Sequence, residues 1–257
     1  MLIDPEHNLN DKAPQIDLFL TPSMVTDDQL KGYNVVVIDV LRAATTITTA
    51  FANGVKEVIP AESISHAIDI STELGRRDVL LCGERRGRLV DGFHLGNSPT
   101  EYKREVVEGK TLIFGSTNGS PTIVKTSEAI TTYLCAFVNI KAVVNVICNL
   151  KKPYPLSIIC SGKYNQFALE DAVCGGMLIN KYLAKKGDDV LLNDGARTSL
   201  VLYREYGDDI VELLKTCDHG KYIKEIGMES DLEVCAQKNS IDIVPFLHDG
   251  KLIPYRK

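Results

Sequence analysis

Asp39 and Arg42 stand three residues apart at the end of the apolar run Val35–Ile38, in the stretch VVVIDVLRAATTITTAFANG, with Thr45 and Thr46 directly behind them. A carboxylate and a guanidinium beyond a β-branched run can hold a cation and an anion side by side. Further along, GERRGR sets Glu84 beside Arg85, Arg86 and Arg88, and GSTNGS carries Thr117, Asn118 and Gly119. SGKYNQFALED runs from Ser161 through Lys163 to Glu170 and Asp171. Asp39, Glu84, Glu170 and Asp171 are oxygen ligands of the kind Mg²⁺ takes. Arg42, Arg85, Arg86, Arg88 and Lys163, with the Thr45 and Thr46 hydroxyls and the N–H groups of the glycine-rich turn, would hold a highly anionic ligand. Carboxylates, Mg²⁺, cationic side chains and backbone donors are the parts of a phosphoryl-transfer site.

Each motif alone has a plainer reading. Asp39 could cap the helix that follows it, with Arg42 as its partner. GSTNGS suits a tight turn and is not a Walker A loop, since no G-x-x-x-x-G-K-[ST] occurs. The arginines could form a solvated loop. Acids such as Glu170 and Asp171 are expected in the first turn of a helix from its dipole, and adjacent acids do not share one helix face. The functional reading rests on all of these segments following predicted strands.

Strands are expected at 16–20, 35–40, 57–60, 79–82, 111–114, 132–135 and 156–160, where short β-branched runs occur. Helices are expected at 44–52, 64–74, 99–107, 120–125, 140–149 and 169–185. Residues 194–238 read as mostly helical, with a last strand at 241–246. Such alternation predicts an α/β fold with a mainly parallel sheet covered on both faces. Ligands bind beyond the carboxyl ends of such strands, so the polar segments should converge along one edge. One domain over residues 1–257 is expected, with 194–238 as a candidate helical subdomain; NLKKPYPLS at 149–157 is the best alternative boundary but reads as a loop entering a strand.

The chain of 257 residues is 44% hydrophobic and 25% charged, with net charge -5, so it carries no footprint for nucleic acid or an anionic membrane. No apolar run is long enough to span a bilayer, and the start MLIDPEHNLNDKAPQ is unlike a secretory signal. Seven cysteines without zinc-site spacing read as small buried hydrophobes of a reducing compartment, the cytoplasm. A homodimer is an open expectation.

VVVIDVLRAATTI, GERRGRLVDGFHLGNSP, GSTNGS and FALEDAVCGG, in that order, together resemble the 2-phosphosulfolactate phosphatase family, and DLEVCAQKNSIDIVPFL is similar to that family's ending. The resemblance covers nearly the whole chain. It implies a three-layer α/β/α fold and an Mg²⁺-dependent phosphatase that cleaves 2-phospho-3-sulfolactate to 3-sulfolactate and phosphate, a step of coenzyme M biosynthesis in methanogens. By its motifs, Asp39, Arg42, Thr45, Glu84, Asn97, Ser98, Thr117, Asn118, Gly119, Glu170 and Asp171 are site residues.

Three roles fit Asp39: Mg²⁺ ligand, nucleophile, or base for water. A neighbouring Arg42 should push its pKa down, which favours ligation, with Glu170 or Asp171 then free to activate water. The haloacid-dehalogenase pattern D-x-D is absent, because Leu41 stands two residues after Asp39. A non-catalytic binding module for phosphorylated or sulfonated metabolites is the second reading, and the four carboxylates argue against it, since an anion binder gains nothing from them without a metal.

Overall fold

The computed structural model describes residues 14–75, 78–150 and 154–255. The polar start and part of the 149–157 loop lie outside the described residues. The strands are β1 (Gln15–Phe19), β2 (Asn34–Ile38), β3 (Glu57–Ala61), β4 (Val79–Arg85), β5 (Arg88–Leu89), β6 (Thr111–Gly115), β7 (Thr131–Cys135), β8 (Leu156–Cys160), β9 (Leu191–Leu192), β10 (Pro245–His248) and β11 (Lys251–Pro254). The helices are α1 (Ala43–Ala52), α2 (Ile64–Leu74), α3 (Arg104–Val107), α4 (Gly119–Lys125), α5 (Ile140–Cys148), α6 (Leu169–Lys186), α7 (Asp194–Tyr206), α8 (Ile210–Thr216), α9 (Asp218–Glu225) and α10 (Ser230–Cys235).

The strands form one sheet in the order β5-β4-β6-β3-β11-β10-β7-β2-β8-β1-β9. β4, β6 and β3 are parallel to one another, and so are β7, β2, β8, β1 and β9. Alternation along the strands makes the layers. Val36 and Ile38 of β2 enter one core with residues of α5, α6 and α8, whereas Val35 and Val37 enter the opposite core with α1. Each such buried Val or Ile contributes about 1.5–3 kcal/mol relative to exposure. The result is the expected α/β/α sandwich around a mainly parallel sheet.

Three departures from the sequence reading have local causes. The last strand begins at Pro245 rather than 241 and turns back as the β10–β11 hairpin. That hairpin sits in the middle of the sheet, antiparallel to β7 on one side and to β3 on the other. Those consecutive antiparallel steps reverse the strand sense, so the β2 half runs opposite to the β4 half. Neighbouring strands rotate by about 20–25° on average, so the steps from β6 to β2 turn the strand direction through on the order of 100°. The polar strand ends can therefore meet at a corner between half-sheets, rather than along one edge.

The helix expected at 99–107 is broken into a 3₁₀ turn, Pro99–Glu101, and the short α3. Tyr102 causes the break: its ring is fully buried, its hydroxyl donates to Gly96 O at 2.6 Å, and its carbonyl accepts from Asn53 Nδ2 at 2.7 Å. β4 runs on to Arg85 because Gly83, at φ 144°, lies so close to the Gly115 carbonyl that a Cβ would collide with it. In the C-terminal third, α7 packs on α6 and β1, while α8, α9 and α10 pack on one another.

Candidate active site

A small cleft is lined by Asp39, Leu41 and Arg42 after β2, by Glu84 and Gly87, by Asn97, and by Ser116 to Gly119 after β6. Lys163 and Tyr164 after β8 complete one wall, and His219, Tyr222 and Ile223 of α9 complete another. Segments that follow four separate strands thus meet in one place, as the placement of the motifs required.

Asp39 is buried, and its Oδ1 accepts the Ala43 N–H at 2.9 Å, so it does cap α1. Its Oδ2 lies against Gly119, where a Cβ would come within 2.5 Å of both that oxygen and Ala43 Cβ. Only glycine lets the two loops approach this closely. Burial pushes the Asp39 carboxyl up to about 7, helped by the negative charges of Glu84 and Glu170 and opposed by His219 and the Ala43 N–H.

The expectation that Arg42 would depress this group is corrected by the geometry. Arg42 turns to Asp231: Nη1 donates to Asp231 Oδ2 at 2.5 Å, with both side chains 1% exposed, and Nη2 donates to Gly87 O at 2.7 Å. Ser98 Oγ donates to Asp231 Oδ1 at 2.6 Å. The guanidinium therefore ties the end of β2 to the β4–β5 turn and to α10. It reaches the cleft wall with its charge already balanced.

The other acids are similarly engaged. Glu84 Oε1 accepts the Thr117 N–H at 2.7 Å, and Oε2 accepts the Gly87 N–H at 2.7 Å and the Thr117 hydroxyl at 3.2 Å. Asp171 accepts Val40 N–H at 2.9 Å and Gly162 N–H at 3.0 Å, stapling the ends of β2 and β8 together, and it does not line the cleft. Its carboxyl is raised well above the usual range by burial and by the charges of Glu170 and Asp39. Glu170 Oε1 lies 2.9 Å from His219 Nδ1. Burial would raise Glu170, but its hydrogen bond to His219 and the charge there hold it below the ordinary value.

Thr45 and Thr46 were expected to bind substrate. Both are fully buried behind the cleft, where their hydroxyls donate to Val40 O at 2.9 Å and Asn97 O at 3.0 Å. Ser98 is spent on Asp231, as described. Arg85 donates to Glu84 O at 3.2 Å, and Arg85, Arg86 and Arg88 do not line the cleft. Of this loop only Gly87 reaches the cleft, and its N–H and carbonyl are taken by Glu84 and Arg42. Asn97, Thr117, Asn118, Gly119 and Lys163 do line it.

Sequence reading missed His219, Tyr222 and Asp231. His219, Tyr222 and Ile223 lie at i, i+3 and i+4 of α9, one face of the helix, so the spacing in DHGKYIKE was a usable signal. Asp231 is the first acid of the DLEVCAQKN block quoted above, but its partner Arg42 is 189 residues away.

Among the described residues no three His, Cys, Asp or Glu side chains gather as a metal cage. Of the expected set Asp39, Glu84, Glu170 and Asp171, Asp39 and Glu84 line the cleft; Glu84 and Asp171 accept backbone N–H groups, and Glu170 pairs with His219. Two side-chain oxygens of cleft residues are candidates for a cation. One is Asp39 Oδ2; the other is Asn97 Oδ1, a buried oxygen with no hydrogen-bond partner. A carboxylate and an amide oxygen fit Mg²⁺, which keeps several waters and takes substrate phosphate oxygens beside one or two protein ligands.

Known proteins resemble this chain over most of its length. The family model for 2-phosphosulpholactate phosphatase matches residues 19–250. A probable 2-phosphosulfolactate phosphatase of Caldicellulosiruptor saccharolyticus is 40% identical over 225 residues, covering 86% of this chain and 91% of the relative. Proteins given the same name are 37% identical in Symbiobacterium thermophilum, over 88% of this chain and 96% of theirs, and 37% identical in Clostridium perfringens, over 93% and 95%. The match takes in every cleft residue from Asp39 to Ile223, together with the Arg42–Asp231 pair behind them. By extent and by site, the chain belongs to the 2-phosphosulpholactate phosphatase family.

Proposed function

We propose that this protein hydrolyses 2-phospho-3-sulfolactate, or a closely similar phosphorylated small acid, to 3-sulfolactate and phosphate, with Mg²⁺ as cofactor. The observation that carries the reading is the cleft itself: a carboxylate oxygen of Asp39, an orphaned Asn97 oxygen and a histidine braced by a buried glutamate share one wall system. Asp39 and Asn97 would hold Mg²⁺, which would offset phosphate charge as the ester bond breaks. Glu170 fixes His219 through Nδ1 and leaves Nε2 for the reaction. That nitrogen takes a proton from the attacking water, and the departing alkoxide takes its proton from solvent. An acyl phosphate trapped on Asp39 by borohydride during turnover would instead make Asp39 the nucleophile.

Phosphate release from a panel of phosphorylated hydroxy acids tests this directly. Chelated protein should lose activity at least 100-fold and regain it with Mg²⁺; full activity in chelator would remove the metal. Release of no phosphate from any member would favour the binding-module reading. His219→Asn should lower kcat by about 10²-fold or more with little change in KM, the scale of a lost acid–base group. An unchanged kcat would leave the Glu170–His219 pair with a structural role only.

Among the described residues no helix is long and apolar enough to cross a membrane. The seven cysteines are all unpaired and buried, which suits a reducing compartment, and we place the protein in the cytoplasm.

A further inference from the structure

A phosphomonoester that also bears a carboxylate or sulfonate needs a second cationic contact, apart from the one that takes its phosphate. The cleft is poor in such contacts. Arg42 lines it but is neutralised by Asp231. His219 is paired with Glu170, and Arg85, Arg86 and Arg88 do not line it. Lys163 is left: among the described residues, no carboxylate pairs with it.

Its placement is fixed from several sides. Lys163 and Gln166 exchange both backbone hydrogen bonds, at 3.0 and 2.9 Å, around a turn in which Tyr164 and Asn165 sit at φ 52° and 59°. The Gly162 N–H is held by Asp171, and the Tyr164 N–H donates to Asn118 Oδ1 at 2.9 Å. The side chain is steered as well. Its Nζ lies 4.6 Å from the centre of the Tyr222 ring and 3.4 Å from Asp218 O. A ring face attracts the ammonium without taking a lone-pair hydrogen bond, and one carbonyl uses at most one N–H. At least one N–H, with the full charge, is left for a ligand.

We infer that Lys163, held against Tyr222 on the strapped Gly162–Gln166 turn, is the specificity determinant that recognises the substrate's second acidic group, and so selects phosphorylated hydroxy acids over simple phosphomonoesters. This rests on the phosphatase reading above and adds the residue that reads the second acidic group. Asp39 and Asn97 belong to the phosphate and metal; Lys163 belongs to the carboxylate or sulfonate further along the carbon chain. The pairing also gives Tyr222 a purpose, since its hydroxyl donates to Arg86 O at 3.0 Å and locks the ring in place.

The test compares kcat/KM for 2-phospho-3-sulfolactate with that for phenyl phosphate, both with Mg²⁺, in the wild type, Lys163→Met and Lys163→Arg. The ratio should fall at least tenfold in Lys163→Met, mostly through KM, and stay within threefold of wild type in Lys163→Arg. A Lys163→Met ratio within threefold of wild type overturns the assignment, whatever the absolute rates, and leaves the phosphatase reading standing. A wild type that hydrolyses neither ester overturns both. Calorimetric titration of 3-sulfolactate gives a readout independent of turnover: Lys163→Met should bind it at least tenfold more weakly, and equal affinity would also sink the proposal.

Discussion

Asp231→Ala should destabilise the protein by about 3–5 kcal/mol, the loss expected when one partner of a buried ion pair is removed and the other charge is stranded. Arg42 and Asp231 are each 1% exposed, so water cannot replace the missing carboxylate. The lost group also accepts from Ser98 Oγ, so a second buried hydrogen bond goes with it. Arg42→Lys keeps the charge but cannot reach both Asp231 and the Gly87 carbonyl in the planar fork, and should cost on the order of 2 kcal/mol. The double substitution Arg42→Met with Asp231→Leu should recover much of the stability of Asp231→Ala, because no charge is then buried alone. It should not recover activity, since the Gly87 turn loses its anchor on the cleft wall. Urea unfolding monitored by circular dichroism separates these cases. An Asp231→Ala protein within 1 kcal/mol of wild type would show that the pair is not what holds this wall.

The same pair marks the boundary of what the sequence discloses. Strand 156–160 and helix 64–74 are bounded in the structure as the hydrophobic pattern predicts, because local period and local burial agree there. Asp39 and Glu84 were found for a local reason too: each sits where an apolar run ends. Local pattern does not say where a guanidinium turns. Arg42 could pair with Asp39 nearby or with an acid far along the chain, and tertiary packing of α10 decides for Asp231. Nor does a carboxylate's presence say whether its lone pairs are free. Glu84 and Asp171 look like metal ligands in sequence, and the fold adds backbone N–H partners to both that no local pattern announces. The β10–β11 hairpin is a different case. Asp249 and Gly250, at φ 49° and 74°, form a tight turn between two short apolar runs, and an Asp-Gly pair in that setting is among the strongest hairpin signals. That signal was legible. Its consequence, a reversal of strand sense in mid-sheet, was not, because it depends on which edges the hairpin fills.

Asp39→Asn should abolish turnover and yet yield a more stable protein in chelator at pH 8. Burial raises the Asp39 carboxyl to about 7 in the fold, whereas an unfolded aspartate titrates near its ordinary value of about 3.9. The folded state therefore binds the proton more tightly, and stability associated with this group is present below about pH 4 and lost as pH rises toward 7. At pH 8 the fold carries an ionised carboxylate that it would hold more cheaply as a neutral group. Asparagine has the same shape, its Oδ1 can still accept from the Ala43 N–H, and it has no charge to desolvate. A gain on the order of 2 kcal/mol is expected, less than the full pKa difference implies, because the asparagine amide is itself a polar group that burial desolvates. The gain should shrink as pH falls and vanish near pH 4, where both forms are neutral. Mg²⁺ should reverse the order. A ligand that binds only the folded state stabilises it more the further its concentration exceeds Kd, so Mg²⁺ should raise the Tm of the wild type and leave Asp39→Asn nearly unmoved. Thermal unfolding from pH 4 to 8, with chelator and with Mg²⁺, measures both effects without reference to catalysis. If Asp39→Asn is the less stable protein at pH 8 in chelator, its carboxylate is not a strained group kept for function. If Mg²⁺ shifts both proteins equally, the ion does not sit on Asp39.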